Sequence, residues 1–125
     1  MTKSEQLSPL ALAFLGDAIH TAYVRVKVLE GQINKLNNYH NQAKKFCNAK
    51  KQKDTLEKIS ESLLDDEKEI VRRARNSHSK HSSKNFDEET YKKATAFEAL
   101  LGYLYLNNRH ERLQEILSLS MQEVE

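Results

Sequence analysis

The stretch LSPLALAFLGDAIHTAYV, from Leu7 to Val24, runs eighteen residues with one charged side chain, Asp17. Ser8 followed by Pro9 reads as a helix N-cap with proline at the first helical position, where its missing N–H costs nothing. Leu10, Phe14, Ala18, Ala22 and Val26 then recur at helical spacing, and Gly31 is the expected stop. A second stretch of the same kind lies far along the chain. Ala94 to Leu106 runs thirteen residues with one charged side chain, Glu98. Neither reads as a membrane span, because each contains glycine and other small or polar residues and the second is too short.

The segments between and beyond these two also read as helix. Leu36, Tyr39, Ala43, Phe46 and Cys47 mark a second helix, with Leu56, Ile59 and Leu63 continuing the face past a bend. Asp65 or Asp66 is expected to cap a short helix carrying Ile70 and Val71. Asp87, Glu88 and Glu89 open a long helix to about Leu106, with acids where the helix dipole favours them. Leu113, Ile116, Leu117 and Leu119 face a final helix. Residues 76–85, NSHSKHSSKN, have no apolar periodicity and read as a loop.

Composition narrows the alternatives. With 125 residues, 38% hydrophobic and 30% charged, the chain has room for one globular domain, expected to span residues 1–125. Three glycines, one proline and no tryptophan are too little punctuation for a sandwich or barrel. No phosphate-binding loop can be built from Gly16, Gly31 and Gly102. The single Cys47 excludes an internal disulfide framework and a cysteine-based zinc site. No basic, apolar and cleavage regions follow one another at the N-terminus as in a signal peptide. The expectation is an all-α domain.

The formal net charge of +2 conceals a blocked distribution. Lys44, Lys45, Lys50, Lys51 and Lys53 form one basic block, and Arg72, Arg73, Arg75, Asn76, His78, Lys80, His81 and Lys84 another, with acids concentrated at Glu61–Glu69 and toward the C-terminus. The second block suits phosphate contacts along a duplex, and it equally suits a solvated helix face. The first block extends such a footprint or keeps one face in water. His78 and His81 lack the neighbours that a zinc site needs.

Asp17 follows Phe14 by three residues and Leu10 by seven, which puts it on the apolar stripe of its helix. Glu98 stands likewise among Tyr91, Ala94, Thr95, Leu101 and Tyr105, and Ala94 and Gly102 are expected to leave open space beside it. An ionised carboxylate on a buried face is costly unless paired or bound to a metal. A buried salt bridge or hydrogen-bonded carboxyl is the ordinary reading of each. If the two helices pack together, the pair instead holds a hard cation through oxygen ligands and water. His20, one turn after Asp17, is a structural hydrogen-bonder or a partner standing behind the site. Two long, nearly uncharged helices are also more apolar surface than a small domain buries easily, and a two-fold helical interface including part of Leu7–Val24 would cover the excess.

The segment FLGDA at Phe14–Ala18, with Ile19 following, resembles the signature helix of the ribonuclease III family. KATAFEALLGYLYL, Lys93 to Leu106, resembles that family's second acidic helix. Their order, their spacing and the intervening helical segment with Ala43, Phe46 and Lys50 agree, and the likeness covers nearly the whole chain. VRRARN at Val71–Asn76 narrows the resemblance to Mini-ribonuclease III, the short bacterial form lacking a double-stranded-RNA-binding domain.

This resemblance implies the family's endonuclease-domain helical bundle, acting as a homodimer. It implies a cytoplasmic bacterial endoribonuclease that cleaves double-stranded RNA, in that form a stem of the large-subunit (23S) ribosomal RNA precursor. Neither DNA nor a membrane is an expected partner. Asp17 matches the signature aspartate and Glu98 the catalytic glutamate, both holding magnesium, with manganese as a substitute. A water activated by the ion would attack phosphorus and leave 3′-hydroxyl and 5′-phosphate ends. RNA contacts fall to Arg72, Arg73, Arg75, Asn76, Lys80 and Lys84, with His20 and Thr95 as neighbours supporting the metal ligands. Two departures thin the metal shell. Ala13 stands where the larger enzymes have a glutamate, and Thr95 where they have an aspartate. A noncatalytic duplex-binding module and a helical dimerisation or adaptor protein are the competing functions.

Overall fold

The computed structural model describes residues 6–31, 33–77 and 87–122. The described residues form six α-helices and one short 3₁₀ turn, with no strand among them. In chain order the helices are α1 (Pro9–Leu29), α2 (Leu36–Lys44), α3 (Ala49–Ile59), α4 (Asp65–Arg75), α5 (Glu88–Leu106) and α6 (His110–Ser120), with the turn Ser60–Ser62 between α3 and α4. The all-α expectation holds.

Helix ends follow local chemistry. Ser8 caps α1, its hydroxyl accepting the Ala11 N–H at 3.1 Å, and Asp87 caps α5 through the Thr90 N–H at 2.7 Å. Two boundaries differ from expectation. Phe46 and Cys47 lie in a turn rather than in the second helix, because Asn48 caps a new helix there by accepting the Lys51 N–H at 2.8 Å. Neither Asp65 nor Asp66 caps α4. Leu64 holds the cap position, and its N–H donates to Glu67, one turn on, at 3.0 Å. The α5–α6 corner turns within three residues, with Asn108 at φ 57°, a left-handed conformation asparagine tolerates.

Helix α5 is the axis of the bundle and packs against α1, α3, α4 and α6, while α2 lies against α1. Ala96, Phe97, Ala99, Leu100, Leu101 and Leu104 of α5 are fully buried. Around them stand Leu12, Leu56, Ile59, Ile70, Leu113, Ile116 and Leu117 from the other helices.

The face α1 buries is not the stripe its apolar spacing suggests. Leu10, Phe14, Ala18, Ala22 and Val26 are exposed, Phe14 at 83%. The buried residues are Leu12, Ala13, Gly16, His20, Val24 and Val28. A helix apolar on nearly every side has no unique phase in its pattern. The choice falls to the small residues, because Gly16 lets α1 touch α5 backbone to backbone. A Cβ at Gly16 would sit 1.7 Å from the Glu98 carbonyl oxygen, and one at Gly102 would sit 2.2 Å from that of Leu12. Advancing from Leu12 to Gly16 on α1 retreats from Gly102 to Glu98 on α5, so the helices run in opposite senses. Gly102 is therefore filled by Leu12 and leaves no open space beside Glu98.

Candidate active site

The glycine contact places Asp17, the residue after Gly16, beside Glu98. Their carboxyl groups are within hydrogen-bond reach of one another. Asp17 is exposed and Glu98 half-buried, so neither is sealed in the core as their apolar surroundings suggested. The reason is the rotated face of α1, which leaves Asp17 at the margin of the helix contact. Burial, with the neighbouring Asp17 carboxyl adding to it, pushes the Glu98 carboxyl up to about 8. The Gln52 side-chain amide acts in the opposite direction.

Two carboxyls this close cannot both be ionised cheaply without a proton or a cation between them. Their oxygens are hard donors. Among the described residues no group of three or more His, Cys, Asp or Glu side chains is placed to hold a metal. A pair of carboxylates is nevertheless a sufficient protein share for magnesium, which keeps several waters of its own. The donor set fits such an ion and does not fit structural zinc.

His20 is fully buried, and its ring meets Phe97 edge-on with centroids 5.3 Å apart. Burial holds its pKa at about 4, against a weaker upward pull from the Asp17 charge. Its Nε2 lies 3.1 Å from Ser120 Oγ and its Nδ1 lies 3.1 Å from Gln52 Nε2. Both of its ring nitrogens are thus engaged inside the core, one with α6 and one with Gln52 of α3. Thr95 is buried on α5, three residues before Glu98.

Three neighbours of the pair were missed in the sequence. Gln52 is buried on α3, and Thr21 on α1 hydrogen-bonds the half-buried Cys47. Burial pushes the Cys47 thiol up, and the Asp17 and Glu98 charges add to the shift while Arg25 opposes it. Gln52 left one legible trace. It shares the spacing of Thr55, Leu56 and Ile59, so the uncharged amide in a lysine block falls on the inner face of α3.

The arginine run sits at the C-terminal end of α4, apart from this cluster. Arg72 pairs with Glu69 and Arg75 with Glu89, at 2.8 Å for the latter. Asn76 caps the helix, its N–H donating to the Arg72 carbonyl at 3.1 Å. Arg73 is half-buried. His78, Lys80, His81 and Lys84 lie outside the described residues. In the lysine block, Lys50 pairs with Asp54 at 3.1 Å and Lys51 donates to the Gln122 carbonyl.

The model of the family described as "Ribonuclease III domain" matches residues 10–109, which include both helices of the pair. The chain belongs to the ribonuclease III family. Relatives within that family include Mini-ribonuclease 3 of a Thermoanaerobacter species (strain X514), 44% identical over 95% of this chain and 84% of the relative. Mini-ribonuclease 3 of Staphylococcus aureus is 42% identical over 90% of this chain and 85% of that protein. Among solved structures, a crystal structure of a protein from Fusobacterium nucleatum superposes with a TM-score of 0.84 at 33% identity, covering 94% of this chain and 93% of that one. The ribonuclease III helical fold is common to both chains. The likeness to Mini-ribonuclease 3 spans most of the chain, in agreement with the narrower resemblance.

Proposed function

We propose that this protein cleaves double-stranded RNA with a divalent cation held by Asp17 and Glu98. At the coarser level the function needs no proposal: the chain is an endoribonuclease of the ribonuclease III family. The single observation carrying the finer reading is the pairing of two carboxyls across the Gly16–Glu98 contact, one exposed and the other pushed up to about 8. A bound magnesium or manganese ion would supply Lewis acidity, polarising a water and offsetting charge on the scissile phosphate. Asp17 presents its oxygens at the surface, where a phosphodiester has access. Glu98 gives up its proton when the cation is taken up. The Gln52 amide favours the ionised form of that carboxyl.

Arg72, Arg73, Arg75 and Asn76 form a basic edge suited to phosphates and 2′-hydroxyls of an A-form duplex, and Lys80 and Lys84 follow them in the sequence as further RNA contacts of this reading. The exposed apolar residues Leu10, Phe14 and Val26 of α1 support a homodimer built on that helix. The substrate this reading assigns is a duplex stem of the large-subunit ribosomal RNA precursor, met in the bacterial cytoplasm by a single domain spanning residues 1–125. No helix of the described residues is long and apolar enough to cross a membrane. The deciding experiment incubates a labelled RNA duplex with protein and magnesium, and compares Asp17→Asn. Cleavage by the wild type that requires the cation, with duplex binding but no cleavage by Asp17→Asn, is expected. Binding by the wild type without cation-dependent cleavage would reduce the protein to a duplex-binding module.

A further inference from the structure

The hydrogen bonds behind the carboxyl pair form one directed chain through three helices, ending on Gln52 next to Glu98 of a fourth. The Ser120 hydroxyl, at the end of α6, donates its only proton to the Leu117 carbonyl at 2.6 Å. Its oxygen can then only accept from His20, 3.1 Å away, so His20 carries its proton on Nε2. The bare Nδ1 of the neutral ring is an acceptor, and the group 3.1 Å from it must be the amide nitrogen of Gln52. An amide whose orientation is usually ambiguous is thereby fixed. Its second N–H stays available, and Gln52 lies close enough to Glu98 on α5 to favour the ionised carboxylate. Ser120, His20 and Gln52 are all buried, at 0%, 0% and 7% exposure, so water does not compete for these bonds.

We propose that Gln52 is a positioning residue for Glu98, fixed in turn by His20 and Ser120, and that it keeps the Glu98 carboxylate turned toward Asp17 for the cation. The inference rests on the reading that Glu98 holds the ion. A carboxylate on a helix swings about three side-chain torsions. A neutral donor behind it removes that freedom without competing for the ion, as a lysine or arginine in the same place would. Ligand carboxylates are commonly held this way, and loss of the supporting group typically weakens metal binding about tenfold or more. The arrangement also links the last helix to the site.

The test measures manganese alone binding to the full chain without RNA, by electron paramagnetic resonance, beside thermal melting and cleavage. Gln52→Met keeps length and apolar volume but has no donor. Its manganese affinity is expected to fall about tenfold, and the manganese concentration for half-maximal cleavage to rise by the same factor. Ser120→Ala breaks the far end of the chain and is expected to give a smaller weakening. A Gln52→Met protein that melts lower but binds manganese as the wild type does overturns the proposal, since Gln52 then serves packing only. Where Gln52→Met does not fold, wild-type manganese affinity in Ser120→Ala overturns it. Glu98→Gln separates the two levels. If it binds manganese as the wild type does, the metal site and this inference fail together. If it loses binding and Gln52→Met does not, this inference alone fails.

Discussion

Gly16 lies so close to Glu98 that a Cβ on the glycine would fall 1.7 Å from the glutamate's carbonyl oxygen. The contact is backbone against backbone, so no flexible side chain can move aside. It fixes the approach of α1 to α5, and through the next residue it sets the position of Asp17 against Glu98. Gly16→Ala must push the helices apart. The expected cost is about 3 kcal/mol of stability, the upper part of the range for overpacking, read from urea unfolding. A folded Gly16→Ala protein is also expected to lose more cleavage activity than stability. Wild-type stability in this variant would show that the contact is looser than described.

The acid pair gives a pH dependence with a defined sign. The folded chain keeps a proton on Glu98 up to about pH 8, whereas an ordinary glutamate releases it near 4.5. Between these values the folded state binds more protons than the unfolded one, so Glu98 lowers stability progressively as pH rises through that window. Glu98→Gln is therefore expected to melt above the wild type at pH 9 and to lose that advantage at pH 4. His20 acts with the opposite sign. Its pKa is depressed from 6.5 to about 4, so its contribution is complete above about 6.5 and is lost as pH falls through 4. Scanning calorimetry across pH in the absence of divalent ions reads both effects. Manganese affinity of the wild type should rise with pH until about 8, since the ion binds the ionised carboxylate.

Glu67 illustrates a buried acid with a different task. It is fully buried and accepts from Arg112 at 3.1 and 3.2 Å and from the Leu64 N–H at 3.0 Å, tying α4 to α6. Arg112→Met leaves that carboxylate without its main partner and is expected to cost about 3 kcal/mol. The double variant Glu67→Met, Arg112→Met should recover part of the loss, because the cost lies in the stranded charge more than in the missing attraction. Urea unfolding of the single and double variants checks both statements. A double variant less stable than Arg112→Met would contradict this account.

Phe14 is 83% exposed, beside exposed Leu10 on the same helix. In a homodimer built on α1 such a side chain is covered. Phe14→Asp is expected to sediment as a monomer with wild-type helix content. If wild type and variant sediment alike, this part of α1 is not the interface.

Helix type and many boundaries were legible in the sequence because they depend on local chemistry. Ser8 with Pro9 and Asp87 with Glu88 and Glu89 start helices wherever the rest of the chain goes, because caps act within a single turn. The two candidate acids were legible too, each as the only charge in a long apolar run, and the family likeness rested on those same residues. The inner face of α1 was not legible. An evenly apolar helix carries no phase, and the spacing of Leu10, Phe14, Ala18, Ala22 and Val26 marked what became the outer side. Which face turned inward depended on Gly16 meeting Glu98 and Gly102 meeting Leu12, contacts between residues more than eighty apart. The supporting chain from Ser120 through His20 to Gln52 was equally hidden, since hydrogen-bond partners a hundred positions apart leave no periodic trace. The sequence by itself determined the all-helical class, most of the helix starts and two solitary carboxylates. Only the tertiary structure decided that these carboxylates meet, because that meeting depends on two glycines fitting against backbone across a helix crossing.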